Sequence, residues 1–400
     1  MSGYKTANGL LDYISSEAYY KNKIEEILVN NFMLKGYSLI ETPTIEYYSM
    51  FNGDQPIIDS NKLFKFIDSD GSILALRPDM TSGISRVVST KLDEKPLIRL
   101  TYKGRAFNFD NKLNELREFT QTGIEVFGLG DYRIDAEVIK LCIESINLLG
   151  IKDFVIEIGN VEYVNAFFKI LNIKNNECLL LKEALQKKDL TSLETICDSL
   201  KLNKTEKEFI LAIPTMFGDK NIFKKAKDLA INNEAIEAIN RLELLYKYFE
   251  KLGLSKYIVF DFGLVSAFDY YTGVIFKGMT KDYGASFLAG GRYDSLCKNT
   301  FGNNINAFGA AFGVDRLLTV LSKLNQLPAI KQVDIAIGYD EEVIDEASKF
   351  IDDIINKTGK SVFDTYIENY EQFKQESKSL IDAEEYIYLT KDNNVLKVKG

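Results

Sequence analysis

Strand-like sequence in this chain falls into two blocks separated by a long helical stretch. Before the break come "YSLIETPTIEYYSMF", "KLFKFID", "SILALRP", "LIRLTYKGRAF", "REFTQTGIEVFG" and "FVIEIG"; after it come "YIVFDFGLV", "YYTGVIFKGM" and "GASFLAGGRYDSL". Between them, residues 161–250 read as helix: Ile239, Leu242, Tyr246 and Phe249 share one helical face, with Lys, Glu and Asn around the rest. The turn signal "SDG" predicts a hairpin, and Pro43 predicts a bend in the first strand. A helix is expected over residues 8–37, with Leu11, Ile14, Tyr19, Ile24, Ile27, Leu28 and Phe32 as its apolar side. After "LPAIKQ", which reads as a linker, "VDIAIGY", "SVFDTYI" and "YIYLT" alternate with helices. The expectation is an α+β chain: a core of residues 1–160 and 251–325, a helical insertion at 161–250, and a small α/β domain at 331–400.

The chemistry is bounded by what the chain lacks. Its 400 residues include no histidine. Ser-His triads, imidazole acid–base catalysis and His-based metal sites are therefore excluded. Cys142, Cys178, Cys197 and Cys297 stand far apart, which points to reduced thiols and argues against a zinc site. No metal or cofactor is expected. A net charge of −9 does not suit a nucleic-acid backbone. The first 20 residues do not form a signal peptide, and no apolar run reaches the roughly 20 residues of a membrane span. A cytoplasmic protein with neither nucleic-acid nor membrane partners is expected.

Five stretches are candidates for a site. In "FTQTGIEVFG", strand alternation puts Gln121, Gly123, Glu125 and Phe127 on one face, with Gly123 as a gap where a ligand can lie against the sheet. The plain structural alternative is a solvated polar face. "ALRPDMTSG" sets Arg77, Asp79 and Thr81 at a strand-to-helix turn, where Asp79 and Thr81 can accept from an ammonium group or simply cap the helix. "GLVSAFDYYTG" reads as a hairpin between two strands, and its "DYYTG" carries Tyr270 and Tyr271, of which alternation lets only one reach a pocket. In "LAGGRYDSL" two glycines precede Arg292, marking a turn or a close backbone approach, and "FGVDRLL" places Arg316 on a helix.

Taken in order, these stretches resemble the histidyl-tRNA synthetase family of the class II aminoacyl-tRNA synthetase fold. "GYSLIETPTIEYYSMF" resembles its motif 1, "RLTYKGRAF…REFTQTGIEVFG" motif 2 and "GAAFGVDRLL" motif 3; "LRPDMT" and "DYYTG" resemble its two histidine-pocket signatures. The resemblance covers roughly residues 8–325. It implies an antiparallel sheet flanked by helices and a dimer formed through motif 1. It also implies a site for free histidine, with Asp79, Thr81 and Gln121 toward the α-amino group and Glu125 and Tyr271 toward the imidazole. Tyr270 stands beside them as a further candidate.

The departures from that family carry as much information. Where the synthetases have an arginine before Asp-Tyr-Tyr, this chain has Ser266; where motif 2 has an arginine after the phenylalanine, it has Asn108. Each lost charge-stabilising donor costs a synthetase about 100- to 1,000-fold in rate. Arg105 is the candidate partner left for the ligand carboxylate. This profile resembles a paralogue group, the regulatory subunits of ATP phosphoribosyltransferase. That resemblance implies no catalysis by this chain and a short-form catalytic subunit as its partner. It further implies a role in the first step of histidine biosynthesis, from ATP and PRPP, with free histidine as effector. A working synthetase using Arg105 or Arg117, and a histidine-binding module of another role, are the alternatives.

Overall fold

Ser15 adopts a φ of +47°, a left-handed conformation that blocks a helix entering from its N-terminal side. The first helix, α1 (Ser15–Leu34), therefore starts there and not near residue 8, and Leu11 and Ile14 ahead of it are exposed. It buries Ile24, Leu28, Val29 and Phe32. The computed structural model describes residues 5–52, 58–92, 95–109, 116–171, 175–264, 270–281, 283–327, 333–367, 369–392 and 394–398.

Pro43, which has no N–H to give a ladder, splits the expected first strand between two sheets. β1 (Ser38–Leu39) joins the large sheet. β2 (Ile45–Tyr47) joins β3 (Lys65–Ile67) and β4 (Ile73–Leu76) in a three-stranded sheet of order β2-β4-β3. β3 and β4 form the expected hairpin, with Ile67 opposite Ile73 and Gly71 turning at φ +86°.

α2 (Thr81–Val87) leads to the long strands β5 (Ile98–Phe107) and β6 (Glu118–Phe127), then α3 (Tyr132–Leu148) and β7 (Val155–Asn160). Helices α4 (Val161–Ile170), α5 (Asn175–Gln186), α6 (Leu190–Ser199), α7 (Lys204–Ala212), α8 (Ile222–Leu229) and α9 (Asn233–Lys251) follow, with the short β8 (Phe217–Gly218) among them. Ile239, Leu242 and Phe249 of α9 face inward. The chain then returns as β9 (Ile258–Asp261), β10 (Val274–Thr280), β11 (Tyr283–Arg292), α10 (Asp294–Phe301), β12 (Ala307–Gly313) and α11 (Val314–Lys323).

The large sheet has the order β1-β5-β6-β12-β11-β10-β7-β9-β8. The order corrects one expectation. The strands flanking "GLVSAFDYYTG" are not a hairpin, because β7 lies between them, antiparallel to β10 and parallel to β9. The connection from Phe262 to Gly273 far exceeds the roughly 2–5 residues of a hairpin loop.

By internal contacts the chain divides into two units, Met1–Asp12 with Tyr20–Gln326, and Tyr13–Tyr19 with Leu327–Gly400. The second contains β13 (Val333–Tyr339), α12 (Ile344–Thr358), β14 (Val362–Tyr366), α13 (Tyr370–Leu380), β15 (Ala383–Leu389) and β16 (Val395–Lys397). Its sheet runs β14-β13-β15-β16, parallel except for β16. Ala336, Phe373 and Tyr388 pack on one side of it, and Ile335, Ile337 and Ala347 on the other.

Candidate functional site

Directly opposed residues on neighbouring strands share a face, so the ladder registers define the surface around Glu125. Glu125 stands opposite Leu100 of β5 and Gly309 of β12; Gly123 stands opposite Tyr102 and Ala311; Gln121 stands opposite Gly104 and Gly313. Across the next ladder, Gly309 faces Gly291 and Ala311 faces Ala289 of β11. The result is a floor of Gly309, Ala311, Gly313, Gly291 and Ala289, bordered by Gln121 and Glu125. The expected single gap at Gly123 is differently used. A Cβ there would lie 2.5 Å from the Tyr102 hydroxyl, so this glycine accommodates a ring of the chain itself.

The acids beside this floor are shielded from solvent, although Ala289 is exposed and Gln121, Ala311 and Gly313 are half-buried. Glu125 is 1% exposed and Asp79 3%. Glu125 Oε1 accepts from the Thr81 hydroxyl at 2.7 Å, and Oε2 accepts from the hydroxyl of Tyr293. Among the described residues it has no ion-pair partner. Burial therefore pushes its pKa up to about 8, against the opposing pull of the Tyr293 and Thr81 hydrogen bonds. Burial likewise raises Asp79, whose Oδ1 accepts from the Ser82 amide at 2.7 Å and Oδ2 from the Ser82 hydroxyl at 3.2 Å. Asp79 thus also serves as a cap at the start of α2. A carboxyl group kept protonated among phenols suits a ligand that is itself a hydrogen-bonding, proton-exchanging ring.

Both tyrosines of "DYYTG" reach this region, where alternation predicts one. Residues 270 and 271 precede β10 in an irregular segment, so strand alternation does not apply to them. Their ring centroids are 4.8 Å apart, and Tyr270 meets Tyr293 edge-on at 5.8 Å. Tyr271 lies over Gly291, where a Cβ would come within 2.8 Å of its ring. The two glycines before Arg292 are therefore a close approach inside β11, not a turn: Gly290 admits the Phe276 ring on the opposite face.

Arg105 does not belong to this face. It pairs with Thr120 in the ladder, one residue out of phase with Gln121, and projects from the other side of the sheet to Glu118 at 2.6 Å. Arg117 packs against the rings of Phe64 and Phe109, 4.6 and 5.2 Å from their centroids, and the two rings meet edge-on at 5.0 Å. Arg316 is exposed and donates to the Ser286 carbonyl at 2.7 Å. Asn108 follows β5, with its amide on the Arg117 carbonyl. Ser266 lies outside the described residues.

Two residues of the cluster escaped the sequence reading. Tyr102 shares the alternation of β5 with Leu100 and Gly104, but only the ladder register puts it over Gly123. Tyr293 follows the Gly-Gly-Arg signal directly; its phenol reaches Glu125 because α10 begins at the next residue. Among the described residues no group of three or more Cys, Asp or Glu is arranged to hold a metal. No described helix is long and apolar enough to cross a membrane.

The histidyl-tRNA synthetase family model matches residues 9–317. A relative from Thermoanaerobacter pseudethanolicus, named ATP phosphoribosyltransferase regulatory subunit, is 36% identical over 86% of this chain and 89% of its own. One of the same name from Clostridium botulinum is 37% identical over 86% of this chain and 83% of its own. A crystal structure from Bacillus halodurans, described as an ATP phosphoribosyltransferase regulatory subunit/histidyl-tRNA synthetase, superposes with a TM-score of 0.83 at 28% identity. It covers 97% of this chain and 98% of its own. The chain belongs to the histidyl-tRNA synthetase family and, within it, to the group whose curated members are named ATP phosphoribosyltransferase regulatory subunit.

Proposed function

We propose that this chain is a non-catalytic regulatory subunit that assembles with a short-form catalytic chain of ATP phosphoribosyltransferase. In this reading the catalytic chain transfers a ribosyl phosphate from PRPP to ATP, the first step of histidine biosynthesis. The present chain is required for that activity and relays inhibition by free histidine. The names of the relatives carry the reading, and the chemistry of the Glu125 face supports it. Activating an amino acid with ATP needs preorganised cations around the α-phosphate. Here motif 2 offers Asn108, Arg105 sits on the wrong face, and Arg117 is packed against two phenyl rings. An amino acid can still be held: the buried carboxyl of Glu125, its Thr81 and Tyr293 partners, and Tyr271 form a polar wall suited to an imidazole. Burying that ring without such partners would cost about 2–7 kcal/mol.

The chain is also proposed to pair with a second copy of itself through the motif 1 region. Ladder pairing puts Ile45 with Leu76, and Tyr47 and Phe66 with Leu74, on one face of the three-stranded sheet, and Ile45, Tyr47 and Phe66 are exposed there. An apolar sheet face of this kind is normally covered.

Co-purification with the short-form catalytic chain, followed by titration of its activity, tests the function. Activity should rise to saturation at a fixed ratio of the two chains and fall when histidine is added. The chain alone should not aminoacylate tRNA. Robust synthetase turnover, or catalytic-chain activity indifferent to this protein, would refute the reading.

A further inference from the structure

Arg77 is 6% exposed, yet it has no ion-pair partner among the described residues. Nε donates to the Arg105 carbonyl at 2.7 Å, and Nη1 donates to the carbonyls of Thr42 at 2.7 Å and Pro43 at 3.3 Å. Those bonds fix the plane of the guanidinium and leave Nη2 without a hydrogen bond among the described residues. Nη1 also donates to the Thr42 hydroxyl at 3.5 Å. Glu41, Glu46 and Asp79 favour the charge without forming an ion pair with it, so the guanidinium lacks a direct anion contact, and burying such a charge is costly.

The free nitrogen lies on the Glu125 side of the sheet. A Cβ on Gly104 would come within 2.7 Å of Arg77 Nη2, and Gly104 stands directly opposite Gln121. The absence of a side chain at residue 104 is what admits the guanidinium to this face. Beside it, Oε1 of Gln121 is buried and accepts no hydrogen bond among the described residues. Asp79, two residues along the chain, is buried with its oxygens shared only with Ser82, and each carboxylate oxygen has a second lone pair to offer. One corner of the face thus holds an unused donor on a fixed cation and unused acceptors of opposite character.

We propose that Arg77 is the carboxylate partner of an α-amino acid bound on the Glu125 face, with Gln121 Oε1 and Asp79 receiving its ammonium group. The proposal rests on the histidine reading above and replaces Arg105 in it. A zwitterionic head group satisfies donor and acceptors together. A phosphate or simple carboxylate would satisfy Arg77 and leave Gln121 and Asp79 unpaired. Specificity for the head group would then come from this corner and specificity for the ring from Glu125.

The test is calorimetric, on the full chain, with L-histidine, histamine and L-histidine methyl ester. Charge-assisted hydrogen bonds of this kind correspond to about 10- to 100-fold in affinity. Histidine should bind the unmodified chain more tightly than histamine or the ester by that factor, and Arg77→Gln should abolish the preference by weakening histidine alone. Retained histamine affinity shows that the variant is folded at the site. If the unmodified chain binds histidine and histamine equally, the Arg77 assignment falls whatever the variant does. The same holds if Arg77→Gln binds histidine as tightly as before. If the unmodified chain binds none of the three ligands, the histidine reading itself fails and the assignment with it.

Discussion

Gly309 stands directly across the β6–β12 ladder from Glu125, and any Cβ on it would overlap Oε2 of that carboxylate. The floor of the face and its acid are therefore one construction. The carboxyl group reaches Tyr293 and Thr81 only because its neighbour on the next strand has no side chain.

Gly309→Ala should force Glu125 out of both hydrogen bonds. Overpacking of this kind costs about 1–3 kcal/mol. The expected outcome is a lower urea midpoint together with loss of histidine binding. Gly284→Ala, on β11 with open space around the missing side chain, is the control and should change neither. Unaltered stability in Gly309→Ala would show that the carboxylate can move away at no cost.

Asp135 of α3 is fully buried between Arg241 of α9, at 2.7 Å, and Arg292 at the end of β11. One carboxylate thereby ties the helical segment to the sheet. Arg292 is itself buried, with Asp294 at 3.0 Å as its other acid. Removing the shared anion by Asp135→Ala strands positive charge in the interior, which costs about 3–5 kcal/mol. A thermal melt should show a large fall. A fall of less than about 1 kcal/mol would mean that the two arginines find water or other acceptors.

The sequence made the inward face of β6 legible because strand alternation has a period of two and needs no partner. Partners were not legible. Arg105 and Gln121 both lie in motif 2, but whether they share a face depends on the parity of a register set by the loop after β5. Composition does not encode that parity, and the structure puts Arg105 behind the sheet. The same gap hid Tyr102. The β9–β10 hairpin failed for a different reason: the strands are neighbours in sequence across a long connection, and β7 from the first block takes the place between them. The helical segment and the β3–β4 hairpin needed only local signals and could be read directly.

The dimer surface gives a further expectation. Tyr47 and Ile45 lie on the exposed face of the three-stranded sheet, whose other face packs Ala75 against Phe51 and Leu63. Replacing either by Asp puts a charge on an apolar contact, at a cost of several kcal/mol if that contact is buried in the dimer. Sedimentation equilibrium should give twice the chain mass for the parent protein and the single mass for Tyr47→Asp, with unchanged circular dichroism. A parent protein that is monomeric at high micromolar concentration would rule out the surface.

Glu125 also makes stability depend on pH. Its carboxyl keeps its proton in the folded state up to about pH 8, while in the unfolded chain it releases it near 4.5. Between those values the folded state binds more protons than the unfolded state. Stability contributed by this group is therefore full below about pH 4.5 and lost as pH rises, by up to about 1.4 kcal/mol per unit, until about pH 8. Glu125→Gln keeps the hydrogen-bonding shape without the titration. Urea midpoints for the two proteins should converge at low pH and separate in favour of the variant toward pH 8. Parallel curves across this range would mean that the carboxyl is already ionised in the native state.

Ligand binding should carry the signature of the same proton. An imidazole with a pKa of about 6.5 and a carboxyl titrating near 8 make their best pair when they share one proton between them. Below about pH 6.5 both hold a proton and one must leave; above about pH 8 neither does and one must be taken up. The affinity for histidine should therefore peak between these values and fall up to tenfold per unit on each side. In Glu125→Gln only the acid limb belongs to the pair, because the neutral amide requires a neutral ring, so the fall beginning near pH 8 should disappear. The ligand's own ammonium titrates higher and affects both proteins alike, which makes the difference between their profiles the informative quantity. Calorimetric titrations from pH 5.5 to 9.5 measure it. Coincident alkaline limbs in the two proteins would place the imidazole away from Glu125, and with it the ring-recognition half of the proposed site.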